Sequence, residues 1–239
     1  MSNRGMSPTA TQESVSTVTV MAALKAYCFP GGESAARGIR GIRAVQRGEI
    51  RSSPEARWNP FVANEFVDAT TAGFCWDARL GSGVLSVAVT DAYVAGHGRL
   101  VVAKGPLQLK KLTGPDVDQG ELQRYLGYVG YCPPMILNNP SLDFAVVGDR
   151  TLKVRDRHDQ TGTSVEMHLG EDGRPVLIRA VRPMIVGKRV IPTAWSAIGS
   201  DPQEWEGLRV WRHMEAAWHL AEGPFTYIRI DLTSFSVVR

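Results

Sequence analysis

The stretch VLSVAVTDAYVAGHGRLVVAKGPLQLKKL, residues 84–112, decides the fold. From Val84 to Ala95 apolar and smaller or polar residues alternate, so a strand here sets Leu85, Val87, Val89 and Tyr93 on one face. Gly96, His97 and Gly98 supply a turn, and Arg99 to Leu112 runs back as the return arm of a long hairpin. Asp91 falls on the apolar face, where alternation calls for an apolar side chain.

The same period of two recurs outward from this hairpin. Candidate strands are 39–51, 61–68, 73–79, 142–147, 151–157, 163–169, 176–182, 208–218 and 225–237. In the last of these, Ile228, Ile230 and Leu232 share one face while Tyr227, Arg229 and Asp231 share the other. Helical spacing is confined to 14–27 and to the segment that follows Asp118, a candidate N-cap, as far as Pro133 and Pro134. So many long strands with so few helices must curl to hide their apolar face. The expected fold is mainly β, a large curved antiparallel sheet forming a half-barrel or open barrel plugged by two or three short helices. Residues 14–239 form the single domain, after a disordered tail over 1–13 that is too polar to offset its ordering entropy.

Composition narrows the function classes. The 239 residues are 44% apolar, with 24 Gly and 14 Pro, which describes a globular chain with many turns. A net charge of +3 from 27 basic and 24 acidic residues argues for neither nucleic acid nor an anionic membrane as partner. Arg37, Arg40, Arg43, Arg47, Arg51 and Arg57 are diluted by Glu33, Glu49 and Glu55 and read as a solvated edge. Cys28, Cys75 and Cys132 form no metal-ligand spacing, and Glu166 with His168 lacks a third ligand, so no metal is expected. Neither a nucleotide fingerprint nor a phosphate-binding glycine loop is present, and no cofactor is expected. The apolar run Val20–Phe29 is interrupted by Lys25 and is no signal peptide, and no later run is long enough for stable membrane insertion. The expected setting is cytoplasmic.

Dispersed motifs carry a resemblance. Trp58-Asn59-Pro60-Phe61-Val62-Ala63, Gly73-Phe74-Cys75-Trp76-Asp77-Ala78, Asp91-Ala92-Tyr93, Arg124-Tyr125-Leu126 and Phe225-Thr226-Tyr227-Ile228-Arg229 occur in that order. From about Ile39 to the C-terminus the chain resembles a bacterial domain family of unknown function. The resemblance implies a curved sheet similar to lipoprotein-carrier half-barrels, with no established chemistry. Where that family carries a carboxylate and then a Trp after its Arg-Tyr-Leu, this chain has Gly127 and Tyr128, then Tyr131-Cys132-Pro133, so any role of that acid is lost or moved.

The candidate site follows from polar residues on apolar faces. Asp91 and Glu65, which alternates with Phe61, Ala63 and Val67, are candidate acid and base if they enter one cavity; as surface strand-end acids they would do neither. Tyr125 and Tyr227 are candidate proton donors. Trp58, Phe61, Trp76, Tyr93, Arg124 and Arg229 are candidate ligand contacts, the arginines for a carboxylate or enolate, although Arg229 and Asp231 also fit a surface cross-strand pair. The leading expectation is a cofactor-independent acid–base enzyme of isomerase, cyclase or lyase type, acting on a hydrophobic small molecule. The alternative is a non-catalytic carrier or sensor of a lipid-like ligand. A third is an interaction module with a solid core.

Overall fold

The computed structural model describes residues 9–83, 86–187 and 189–239, with side chains from residue 18 onward. Residues 1–8 of the expected tail, and Val84 and Leu85 of the expected hairpin, lie outside the described residues. Helix α1 (Thr9–Cys28) is longer than its expected 14–27 span, and its backbone takes in the rest of the expected tail. A meander follows: β1 (Gly41–Ile50), β2 (Asn59–Asp68), β3 (Phe74–Leu80), β4 (Val87–Val94), β5 (His97–Lys104) and β6 (Leu107–Leu112). After α2 (Pro115–Gly127) and the one-turn α3 (Met135–Asn138) comes a second meander. It comprises β7 (Leu142–Gly148), β8 (Thr151–Asp156), β9 (Ser164–Leu169), β10 (Pro175–Val186), β11 (Arg189–Trp205), β12 (Leu208–Leu220) and β13 (Gly223–Val238).

The two meanders join through β1 and β13, giving one curved, unclosed antiparallel sheet of 13 strands in the order 6-5-4-3-2-1-13-12-11-10-9-8-7. This topology dictates the position of α2. The chain leaves β6 at one edge of the sheet and re-enters at β7, the other edge, so residues 113–141 must traverse a face. That face is the apolar one: Ala44, Ala63, Val67, Trp76 and Ala78 lie buried on it, with Leu122, Tyr125 and Leu126 of α2 packed in the same core. Edge strand β6 is largely exposed and carries Lys110 and Lys111, which discourage pairing with a further strand.

The deciding stretch folds as three strands rather than one hairpin. Ala95 and Gly96, at φ 51° and 86°, form a two-residue loop between paired Val94 and His97, a geometry that matches the strand twist. His97 therefore opens β5 instead of forming the turn. Gly105, at φ 55°, breaks the return arm into β5 and β6. Nor is Asp118 the N-cap of α2, which begins at Pro115 behind Gly114. The Asp118 carboxylate accepts the Gly98 backbone N–H at 2.7 Å and so fastens the helix to the β4–β5 turn. The contact is close enough that a Cβ on Gly98 would lie 2.6 Å from the Val117 carbonyl oxygen.

Strand β11 has no counterpart among the expected strands, because Pro192, Gly199 and Pro202 disrupt its alternation. Pro192 stands opposite Pro183 of β10, and neither has an N–H to donate. Ladder pairing of β9 with β10 ends at Arg179, and that of β12 with β11 begins at Trp195, so no outer neighbour requires the missing donors.

Trp211 of β12 lies across β11 at Gly199, where a Cβ would come within 1.8 Å of the indole, and against Gly130, where it would come within 2.6 Å. Its Nε1 donates to the Pro175 carbonyl at 2.9 Å, which fixes the ring. Gly199→Ala should therefore displace the indole and lower stability in urea denaturation by about 1–3 kcal/mol, the usual cost of overpacking. An unchanged midpoint would contradict this packing.

Candidate functional site

Strand register assembles a polar row on the concave face. Glu65 pairs with Trp76, Trp76 with Asp91, and Asp91 with Leu100, across β2 to β5. On β1 the inward set Ile42, Ala44, Gln46 brings Gln46 beside Glu65. Helix α2 crosses above. Glu121, Arg124 and Tyr128, three and four residues apart, share its lower face, which is the spacing that stacks side chains on one side of a helix.

Arg124 is the hub of this cluster. Its Nη1 donates to Asp91 Oδ2 and its Nη2 to Glu65 Oε1 at 3.3 Å, while the carboxylates stand on strands separated by β3. The guanidinium lies 4.7 Å from the centroid of Phe74 and 5.3 Å from that of Trp76, so its faces are covered by rings. Glu65, 4% exposed, also accepts from Tyr128 Oη at 2.6 Å and from Gln46 Nε2. Gln46 in turn donates to Tyr131 Oη at 3.0 Å and accepts from Trp76 Nε1 at 2.7 Å. Burial pushes the Tyr128 and Tyr131 phenols well up, so both stay protonated.

Glu121 and Asp91 are neighbouring buried acids, and each has one buried carboxyl oxygen without a hydrogen-bond partner. Burial, then the neighbouring Asp91 charge, push Glu121 up to about 8, against the pull of Arg124 and Arg182. Burial raises Asp91 as well, but Arg124 opposes it most strongly there. Because Asp91 is bonded directly to Arg124, Glu121 is the acid of the two that holds a proton more readily.

Below this roof lies a cavity of about 280 Å³. Glu65, Asp91, Glu121, Arg124 and Arg182 form its polar end; Trp76, Trp195, Trp211, Trp218, Met214, Ile228 and Ile230 form the apolar wall. Trp195 and Trp218 stand opposite each other on β11 and β12, and Trp218 stacks on Tyr227 at 5.9 Å. Strict alternation sends Tyr227 and Ile228 to opposite faces, yet both line the cavity. The cause is a bulge: Ala216 pairs with Ile228 and Ala217 with Thr226, leaving Tyr227 as the extra residue. Its hydroxyl accepts from Trp195 Nε1 at 3.2 Å.

Of the sequence candidates, Asp91, Glu65, Trp76, Arg124 and Tyr227 thus meet at one cavity, and the others stand apart from it. The Tyr125 hydroxyl donates to the Asp68 carbonyl at 3.0 Å and accepts from Asn139, which anchors α2 rather than serving as a proton donor. Phe61 supports the wall from behind, edge-on to Trp76 at 5.4 Å, and Tyr93 is buried one pair further along β4. Trp58 lies between the guanidinium groups of Arg51 and Arg229, and Arg229 pairs with Glu215 at 3.4 Å, an outer-surface stack. Gln46, Glu121, Tyr128, Tyr131 and Arg182 were absent from the sequence candidates. Inward alternation on β1 and β10 marks Gln46 and Arg182, and helical spacing from Arg124 marks Glu121 and Tyr128. Among the described residues no group of three His, Cys, Asp or Glu is arranged to hold a metal ion.

The family of unknown function DUF6544 matches residues 23–230 of this sequence. The chain belongs to that family. The Tyr128 and Tyr131 hydroxyls of this DUF6544 member both join the Glu65 cluster. No curated protein matches the chain. Among solved structures it is similar to a LolA superfamily protein from Nitrosomonas europaea, at 9% identity and TM-score 0.52, covering 93% of this chain and 94% of that one. It is also similar to an outer membrane lipoprotein-sorting protein domain from Vibrio parahaemolyticus, at 9% identity and TM-score 0.50, covering 94% and 93%. At such identity the likeness shows a shared fold, in keeping with the expected half-barrel. No helix among the described residues is long and apolar enough to cross a membrane.

Two outcomes follow from the cluster. Arg124→Met leaves two buried carboxylates uncompensated and should cost about 3–5 kcal/mol in chemical denaturation. A loss below about 1 kcal/mol would mean that the ion pairs are solvated. For Glu121, the folded-state value lies above the unfolded one, so the native state holds the extra proton and stability falls as pH rises between about 4.5 and about 8. Glu121→Gln should remove that slope, measured as the urea midpoint against pH, and an identical slope in both proteins would contradict the raised Glu121 value.

Proposed function

We propose that this protein is a carrier or sensor of a lipid-like small molecule held in the concave cavity. The observation that carries this reading is the wall itself: four tryptophans, Met214, Ile228 and Ile230 surround a space that helix α2 roofs but does not fill. A protein built only for a solid core would pack that space, since voids of this size cost stability. The similarity in fold to a lipoprotein-sorting domain supports the same reading. Three free thiols support a reducing, cytoplasmic setting.

One observation favours a second reading, acid–base catalysis on the bound molecule: two buried acids, Glu121 and Asp91, line the cavity where a ligand would meet them, and burial pushes Glu121 up. The arginine contacts that hold the acids are also what a purely structural clamp requires, which makes the carrier the simpler account.

Native mass spectrometry of gently purified protein should show a co-purified small apolar molecule. Ala216→Phe, which places a ring in the cavity, should lose it at a stability cost of about 1–3 kcal/mol. Protein that stays empty after incubation with a cell lipid extract contradicts the reading. Release of the molecule chemically unchanged after long incubation supports the carrier; conversion that Asp91→Asn abolishes would establish the enzyme instead.

A further inference from the structure

The two arginines at the polar end of the cavity are answered differently. Arg124 has carboxylates on both sides. Arg182, on β10 and 7% exposed, gives its Nη2 to the Gly120 carbonyl at 2.6 Å, and its Nε has no hydrogen-bond partner. Its guanidinium rests 4.7 Å from the Trp195 ring centroid and 5.9 Å from that of Trp218. A carbonyl and two ring faces replace only part of the hydration that a buried guanidinium loses. No carboxylate is bonded to it: Asp91 is bonded to Arg124, and burial together with the Asp91 charge favours the protonated form of Glu121.

We propose that the ligand is a small aliphatic monocarboxylic acid whose carboxylate pairs with Arg182 and whose tail lies against Trp211, Met214, Ile228 and Ile230. This rests on the binding reading above and specifies its ligand. A carboxylate places an acceptor and a negative charge against the guanidinium where Arg182 lines the cavity, in the planar geometry that a guanidinium fork fits. An alcohol brings the acceptor without the charge. An ammonium group would face two guanidiniums, and a dianion would add excess charge beside Asp91 and Glu65. Size sets the tail: an apolar cavity of about 150 Å³ holds benzene, so about 280 Å³ scales to roughly eleven heavy atoms, the size of octanoate.

Glu121 makes the pairing pH-dependent. It faces Asp91 from β4, Arg124 on its own helix and Arg182 from β10, with Glu65 of β2 and Tyr128 beyond Arg124. While protonated it adds no charge next to the ligand's carboxylate. As it ionises near pH 8 it repels that carboxylate and competes with it for Arg182.

The test is tryptophan fluorescence titration of the whole protein at pH 6.5 with sodium octanoate, 1-octanol and octylamine; octanoate is fully ionised there. Octanoate should bind about tenfold or more tighter than 1-octanol, with octylammonium weakest. Equal binding of octanoate and 1-octanol overturns the carboxylate assignment while leaving the cavity reading intact; binding of none of the three overturns the cavity reading itself. Octanoate affinity should fall about tenfold from pH 6.5 to 9 in the wild type and stay level in Glu121→Gln. The same fall in both would overturn the part given to Glu121. Arg182→Gln should erase the preference for octanoate over 1-octanol, and the wild-type series decides the matter should that variant not fold.

Discussion

Arg124 holds Glu65 and Asp91, acids that stand on the second and fourth strands of a face otherwise given to apolar side chains. Buried ions of this kind add little net stability over a well-packed apolar alternative, but they are unforgiving of displacement, because any shift leaves a charge unmatched. That makes the trio a locating device. Topology requires α2 to cross the sheet, and the arginine determines where along the strands it lands. With Asp118 fixed to the Gly98 amide at the start of the helix and the Tyr125 hydroxyl on the Asp68 carbonyl further along, the helix is held above the floor of the sheet at defined points. The cavity beneath it persists because its roof is tied to polar groups rather than free to settle onto the apolar wall.

From this constraint the character of the site follows. Its polar end consists largely of groups already committed to one another, apart from one carboxyl oxygen each of Glu121 and Asp91 and the unpartnered Nε of Arg182. Its apolar end is contributed by the second meander, where the bulge at Tyr227 turns a second aromatic ring inward beside Trp218. An amphipathic space of this kind, polar at one pole and aromatic at the other, orients a ligand as well as holding it. The likeness to a LolA superfamily structure and a lipoprotein-sorting domain is one of fold, while the polar cluster is built from Glu65, Arg124, Tyr128 and Tyr131 of this chain.

Much of this was legible in the residues alone. The alternation at 84–112 pointed to a mainly β curled sheet, and the intrusion of Asp91 and Glu65 on apolar faces located both acids, because alternation is a reliable reporter wherever one face is buried. The rule failed where the backbone departs from it. At Tyr227 a bulge shifts the phase by one residue, which no local pattern reveals. In β11 two prolines and Gly199 hide a strand that survives because its outer neighbours have ended or because Trp211 needs the room. Trp58 and Arg229 are aromatic and cationic like a binding site, yet they stack on each other outside the cavity, a distinction that depends on which way the strands curl. Glu121 and Arg182 were readable from helical and strand spacing, but their importance arises only once the sheet brings α2 and β10 together.

What matters most is whether the aromatic end of the space below α2 is a persistent apolar cavity rather than a packing fault or a water-filled cleft. Crystals pressurised with xenon test this directly, because xenon enters dry apolar cavities and avoids polar, hydrated ones. Xenon should bind in contact with Trp211, Trp218 and Ile228, with the Arg124 cluster unmoved. Ordered water filling that volume, or side chains collapsed into it with no xenon bound, would contradict it.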